Sequence, residues 1–207
     1  MNNGHVAHLV EFIERLSRDV KPEPQCASHT GITQTMFNQL CGPTGQFNLH
    51  SGARVLDVGC GQGPALELFR AASFDATGIG IGTEDLTECR RQGFQVEEMD
   101  QSFLAFPDAT FDMVWARHIL EHSIAPYWTL TGFRRVLKLG AVLYAEVPAP
   151  GPPFHHERNG NHYSVLPRES WEELILRAGF EIKNQVDINL VVGAYQDLYW
   201  AFIGRAV

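Results

Sequence analysis

Asp57, Gly59, Gly61 and Gly63 fall within one short run, Val55-Leu-Asp-Val-Gly-Cys-Gly-Gln-Gly63. An apolar stretch stops on an acid and enters a glycine-rich turn, and Pro64 follows where a helix would begin. Glycines let a backbone and a helix N-terminus approach a ligand closely, so the suggested chemistry is capture of a small polar ligand. The spacing is tighter than the G-x-G-x-x-G of a dinucleotide turn, and no Lys-Ser/Thr pair follows as in a phosphate-cradling loop. Further on, His118-Ile-Leu-Glu-His122 has the H-x-x-E-H order of an inverted zincin motif, in which two histidines on one helix hold zinc beside a general base. That chemistry needs a long helix and a third ligand. Here the motif directly follows an apolar strand and Pro126 lies close behind, so metal-dependent hydrolysis is disfavoured and no metal is assigned. His155, His156, His162 and Tyr163 lie in a Pro-, Gly- and His-rich stretch over 148–167, where they offer proton acceptors or metal ligands without a fixed ligand spacing.

The elements that must position these residues alternate. Strands are predicted near 53–58, 76–81, 95–99, 111–116, 141–147, 181–188 and 197–205, with helices near 64–72, 84–92, 125–138 and 167–178. Such alternation implies an α/β fold, a doubly wound and mostly parallel sheet covered on both faces. Ligands then bind beyond the carboxyl ends of the strands, which places the functional loops after Val58, Ile81, Met99, Ala116 and Val147. Ahead of the sheet, Val6, Leu9, Val10, Ile13 and Leu16 predict an amphipathic helix. Residues 19–34 read as a linker broken by Pro22, Pro24 and Gly31, and a short helix runs from Thr35 to Leu40. The division expected is a helical segment or lid over 1–42 and a ligand-binding domain over 43–207.

Composition narrows the partners. The chain has 207 residues, 44% of them apolar, which suits one domain with a substantial core. A net charge of −8 disfavours a nucleic-acid backbone as partner. No run approaches a membrane span, no signal-peptide layout is seen, and Cys26, Cys41, Cys60 and Cys89 form no C-x-x-C pair. The expectation is a cytoplasmic protein, monomer or homodimer, acting on a small molecule away from nucleic acid and membrane.

The glycine-rich run resembles the first motif of class I S-adenosylmethionine-dependent methyltransferases of the small-molecule type 11 kind. The likeness extends to Phe111-Asp-Met-Val-Trp-Ala-Arg-His-Ile-Leu-Glu-His122 and to Phe133-Arg-Arg-Val-Leu-Lys-Leu-Gly140 with the strand after it, in order along residues 50–207. The resemblance implies a seven-stranded Rossmann-like sheet with its last strand antiparallel. It also implies S-adenosylmethionine as cofactor, S-adenosylhomocysteine as product and a small-molecule acceptor. Carried over by position, Asp57, Gly59, Cys60, Gly61 and Gly63 cradle the amino acid end of the cofactor, and Asp100 with Gln101 and Ser102 lies at the adenine. Ile81 and Arg117 follow their strands at the same pocket. His118 is the candidate base, and His155 and His162 are weaker acceptor-side candidates. His122 is expected to fix loop geometry and Glu121 to cap a helix. One departure stands out. The family ends its second strand with an acid that takes the ribose hydroxyls, whereas this chain has Gly80 there, with Glu84 or Asp85 as possible substitutes. The missing acid keeps open a non-catalytic binding or regulatory protein on the same fold.

Overall fold

The computed structural model describes residues 27–207 except 43, 44 and 48, together with positions 4, 7, 8, 10–12 and 15. The helix expected over the first eighteen residues rests chiefly on positions outside the described residues, as does the start of the linker.

Seven strands form one sheet: β1 (Arg54–Val58), β2 (Asp75–Gly80), β3 (Gln95–Glu98), β4 (Phe111–Arg117), β5 (Leu137–Pro148), β6 (Phe180–Val192) and β7 (Tyr195–Ala206). Their order is β3-β2-β1-β4-β5-β7-β6, with β7 antiparallel to both its neighbours and the pairs among β1 to β5 parallel. The helices are α1 (Ala27–Cys41), α2 (Pro64–Ala71), α3 (Thr83–Arg91), α4 (Pro126–Val136) and α5 (Arg168–Arg177). The mostly parallel α/β sheet with an antiparallel last strand is therefore present. β7 reverses through a tight turn in which Gly193 takes a φ of +63° next to the Val192–Tyr195 pair, the left-handed backbone that a two-residue hairpin needs.

Strand alternation explains the layering. Leu56, Val58, Val114, Ala116, Leu143 and Ala145 enter one core with Phe133 of α4 and Trp171 and Ile175 of α5. Their neighbours Val55, Met113, Trp115, Val142 and Tyr144 enter a second core with Met36, Phe37 and Leu40 of α1 and Phe69 of α2. The central strands are thus buried on both faces, which is why they read as nearly continuous apolar runs.

Two boundaries differ from expectation. α1 begins by Ala27, so residues 27–34 are helix rather than linker and Gly31 breaks nothing. A side chain at Gly31 would meet nothing within 4 Å, so this glycine is a solvent-side position that lowers helix propensity without stopping the helix. β5 begins at Leu137, where the expected helix still ran. Leu137 pairs with Phe111, Lys138 bonds Asp112 at 2.7 Å, and Gly140 at φ +76° takes up the register shift before Val142 pairs with Met113.

Candidate functional site

Strand order reverses beside β1, which is flanked by β2 and β4, so the carboxyl ends of β1 and β4 open the crevice where such sheets bind ligands. Asp57 is the last polar residue of β1 and is 3% exposed. Its Oδ2 has no hydrogen-bond partner. Burial pushes its carboxyl up to about 7, against a smaller opposing pull from Arg117. Arg117, at the end of β4, has the opposite deficit: its Nη2 is buried and unpartnered. A buried acid oxygen and a buried guanidinium nitrogen, both unsatisfied, suit a zwitterionic ligand that carries an ammonium and a carboxylate.

The glycine turn supplies shape more than donors. The amides of Gly59 and Cys60 both bond the Ile79 carbonyl, at 2.9 and 3.0 Å, and Gly63 bonds Cys60, which ties the turn to β2. The Gly61 and Gln62 amides have no partner among the described residues. Gly59 is favoured by its φ of +73°, and a Cβ there would lie 2.8 Å from Ile119 Cδ1, which would have to shift. Cys60 is buried beneath Gly78, and burial raises its thiol far above the ordinary value. Gly61 and Gly63 also take positive φ.

The other cofactor-side candidates divide. Asp100 accepts the Ser102 amide at 2.7 Å through Oδ1, so part of its carboxylate holds its own turn. Gln101 donates to the Ile119 carbonyl at 2.8 Å while its Oε1 is buried without a partner. Ser102 is structural, bonded to Thr129 at 2.9 Å with its carbonyl taken by Trp128. Ile81 and Glu84 are exposed beside the β2–α3 turn. Asp85 folds back over that turn, with Oδ2 3.4 Å from where a side chain on Gly82 would begin. Around Gly80 there is room, because a Cβ there would meet only Leu86 Cδ2 at 3.8 Å.

His118 sits at the β4 exit in left-handed backbone, φ +53°. Its Nε2 lies 2.6 Å from Glu146 Oε1, and its ring stacks on Tyr199 with centroids 4.3 Å apart. Glu146 is fully buried. It stands opposite Arg117 in the β4–β5 register, with Arg117 Nε 3.0 Å from both its oxygens, and it accepts a short bond from the Tyr144 hydroxyl. Burial alone would raise this carboxyl; His118, then Arg117 and Tyr144, outweigh it and hold it at about 2. Arg117 Nη1 also reaches Thr33 of α1 at 3.0 Å, which ties that helix to the site.

The 149–167 loop crosses the same edge. Tyr163 and Ser164 donate their amides to the Glu121 carbonyl, and Ser164 Oγ bonds the Ser123 carbonyl at 2.7 Å. His156 Nε2 meets Asp197 Oδ1 at 2.8 Å, and Tyr199 donates to Asp197 Oδ2 at 2.9 Å. His155 bonds Glu157, whose other oxygen accepts the Gly151 amide, so His155 braces the loop.

The structure brings Arg117 and His118 together on Glu146, with Asp57 close enough to Arg117 to feel its charge. The inverted zincin reading fails on geometry: His118 and His122 share no helix, since only a 3-10 turn at Leu120–His122 follows β4. His122 Nδ1 instead donates to the Asn161 carbonyl at 2.9 Å, the loop-fixing role expected of it. Glu121 does not cap α4, which starts after Ala125 without a side-chain cap; Glu121 is buried in the 3-10 turn. Glu146, Tyr199 and Thr33 were missed in the sequence. For Glu146 a signal existed, a lone acid inside the apolar run Ala141–Pro148.

With this geometry in view, the comparisons with known proteins are direct. The methyltransferase domain family matches residues 32–185. The 27-O-demethylrifamycin SV methyltransferase of Amycolatopsis mediterranei is 32% identical over 70% of this chain and 60% of its own length. The ubiquinone biosynthesis O-methyltransferase of Methylococcus capsulatus is 32% identical over 69% of this chain and 62% of its own. Among solved structures, the [4+2]-cyclase SpnF superposes with a TM-score of 0.71 at 22% identity, over 86% of this chain and 81% of that one, a likeness of fold alone. The fold is that of class I S-adenosylmethionine-dependent methyltransferases. The chain belongs to the methyltransferase domain family. It spans about 60% of the length of the curated relatives just named.

Proposed function

We propose that this protein transfers a methyl group from S-adenosylmethionine to a hydroxyl oxygen of a small-molecule acceptor. The observation that carries the reading is a half-buried, carboxylate-backed histidine placed one strand from an unsatisfied acid. His118 on Glu146 stands at the end of β4, beside Asp57 at the end of β1.

Asp57 and Arg117 fit the cofactor's amino acid end, because its ammonium and carboxylate answer the two unpartnered buried atoms. When bound, S-adenosylmethionine supplies a methyl group already activated on a sulfonium. What the protein must add is alignment of the acceptor and removal of its proton. With His118 Nε2 committed to the Glu146 carboxylate, Nδ1 takes the acceptor's proton, and Glu146 stabilises the imidazolium that forms. His118 itself, then Arg117 and Tyr144, favour the ionised form of Glu146 against its burial. The segment ahead of β1, tied in through Thr33, and the 149–167 loop form the walls of the acceptor space. Oxygen is favoured as the methylated atom because a hydroxyl needs a base, and because both relatives named above are methyltransferases of small molecules, one of them an O-methyltransferase by name. The net charge of −8 favours a small acceptor over nucleic acid. Among the described residues no helix is long and apolar enough to cross a membrane. No observation favours the non-catalytic alternative.

The test is turnover of S-adenosylmethionine against a panel of hydroxylated small molecules, with His118→Asn beside the native chain. The expected result is a methylated hydroxyl product whose kcat falls roughly 100-fold or more in the variant, while cofactor affinity is unchanged. Equal kcat in the variant would remove His118 from the mechanism.

A further inference from the structure

A second constellation is linked to His118 through the Tyr199 and His156 rings and takes no part in the reaction as described so far. Glu121, His122 and His162 each place a potential ligand atom within 4.8 Å of the other two. The first two come from the 3-10 turn after β4, the third from the loop after β5. Spacing along the chain conceals the set, because the loop must fold back before His162 meets the others.

Three features distinguish it from an incidental cluster. Both rings are oriented by main-chain carbonyls: His122 Nδ1 donates to Asn161 O at 2.9 Å, and His162 Nδ1 donates to His156 O at 3.0 Å. A carbonyl can only accept, so each Nδ1 carries a hydrogen, the outer hydrogen bond that commonly orients a metal-binding histidine. Asn159 Nδ2 lies 3.2 Å from His162 Nε2 and must give way for an ion to reach that nitrogen. Second, the loop is pinned to the turn by the Tyr163 and Ser164 amides on the Glu121 carbonyl and by Ser164 Oγ on the Ser123 carbonyl, so the three residues are held together by groups other than the ligand atoms. Third, a carboxylate residue only 2% exposed stands beside two imidazoles whose rings meet edge to face at 4.9 Å.

We propose that Glu121, His122 and His162 form a binding site for one divalent first-row transition-metal ion. Two imidazole nitrogens and one carboxylate oxygen suit zinc-like ions better than magnesium or calcium, which prefer all-oxygen shells. Three protein ligands leave coordination positions for water or an acceptor oxygen. The His162 ring stacks on His156, His156 packs on Tyr199 and Tyr199 stacks on His118, so the ion lies on the acceptor side of the site. Its role, orienting and acidifying the acceptor hydroxyl for His118, rests on the O-methylation reading; its binding does not.

The experiment uses the full chain, stripped with chelator and titrated with Co2+ alone, then with Zn2+. The expected result is one equivalent of Co2+ with the intense visible absorption of a four- or five-coordinate centre, discharged by Zn2+. His122→Ala and His162→Ala should each weaken Co2+ binding roughly tenfold or more. The exposed His50→Ala should leave it unchanged, and retained S-adenosylmethionine binding by each variant reports that it has folded. A native spectrum that stays that of the hydrated octahedral ion overturns the site without recourse to any variant, as does binding undiminished in both histidine variants. If Co2+ binds as described but hydroxyl acceptors give no product, the O-methylation reading fails and the metal site stands.

Discussion

Asp57 makes the sharpest physical demand of any single residue. Its folded carboxyl titrates at about 7 against an ordinary 3.8, so the fold favours the protonated form. Without ligand, stability is therefore lost as pH rises from about 4 towards 7, since ionising a buried, unpartnered carboxyl is unfavourable. Binding an ammonium reverses the preference and releases the proton. Affinity for S-adenosylmethionine should accordingly strengthen as pH rises to about 7 and then level off, weakening about tenfold for each unit below it. Calorimetry at several pH values checks this, and Asp57→Asn should flatten the profile. Gly80 gives the complementary case. Its surroundings leave space for a side chain, so Gly80→Asp should restore a ribose contact and tighten cofactor binding about tenfold, in line with about 1.5 kcal/mol for a hydrogen bond to a charged group. Unchanged or weaker binding would show that Asp85 or the backbone already fills that role. At this scale the sequence was legible where a residue's type carries its own constraint, as with Asp57 and Gly59. It was opaque where meaning depends on a partner brought by the fold, as with Glu146 beside His118.

The elements were easier to read because periodicity is a local property. The alternation of Val55 and Leu56, or of Met113 and Val114, between two cores is written directly in the strands. What failed was punctuation. Gly31 and the prolines ahead of it suggested a linker, yet α1 runs through that glycine because its outer face meets nothing. Gly31→Ala should therefore stabilise the protein by about 0.5–1 kcal/mol, raising the thermal midpoint by a few degrees without altering cofactor binding. A drop in midpoint would mean that the helix needs the glycine. The short connection after β4 was legible: the H-x-x-E-H string follows a strand, which argues against a helical zinc motif, and the strand does continue through Arg117 before His118 turns the chain in left-handed backbone.

Across the whole molecule, the reactive groups gather at one edge of the sheet, where β1, β4 and β5 end and the 149–167 loop returns. The two cores lie behind that edge and hold it rigid. Polar burial concentrates there too: Asp57, Gln101, Glu121 and Glu146 are each under 10% exposed, a density of desolvated charge that a stability-driven fold avoids unless a ligand answers it. The family and fold could be anticipated from three motifs in order. The acceptor space could not, because it is assembled from α1, the loop after β5 and the β7 residues Asp197 and Tyr199, far apart in the chain and unremarkable in type. The central claim is that this edge is a working S-adenosylmethionine site despite glycine at position 80. Calorimetric titration of the purified chain with S-adenosylmethionine at pH above 7 tests it most directly. Saturable one-to-one binding at about micromolar dissociation constant is the predicted result, and absence of binding up to about millimolar ligand would contradict it.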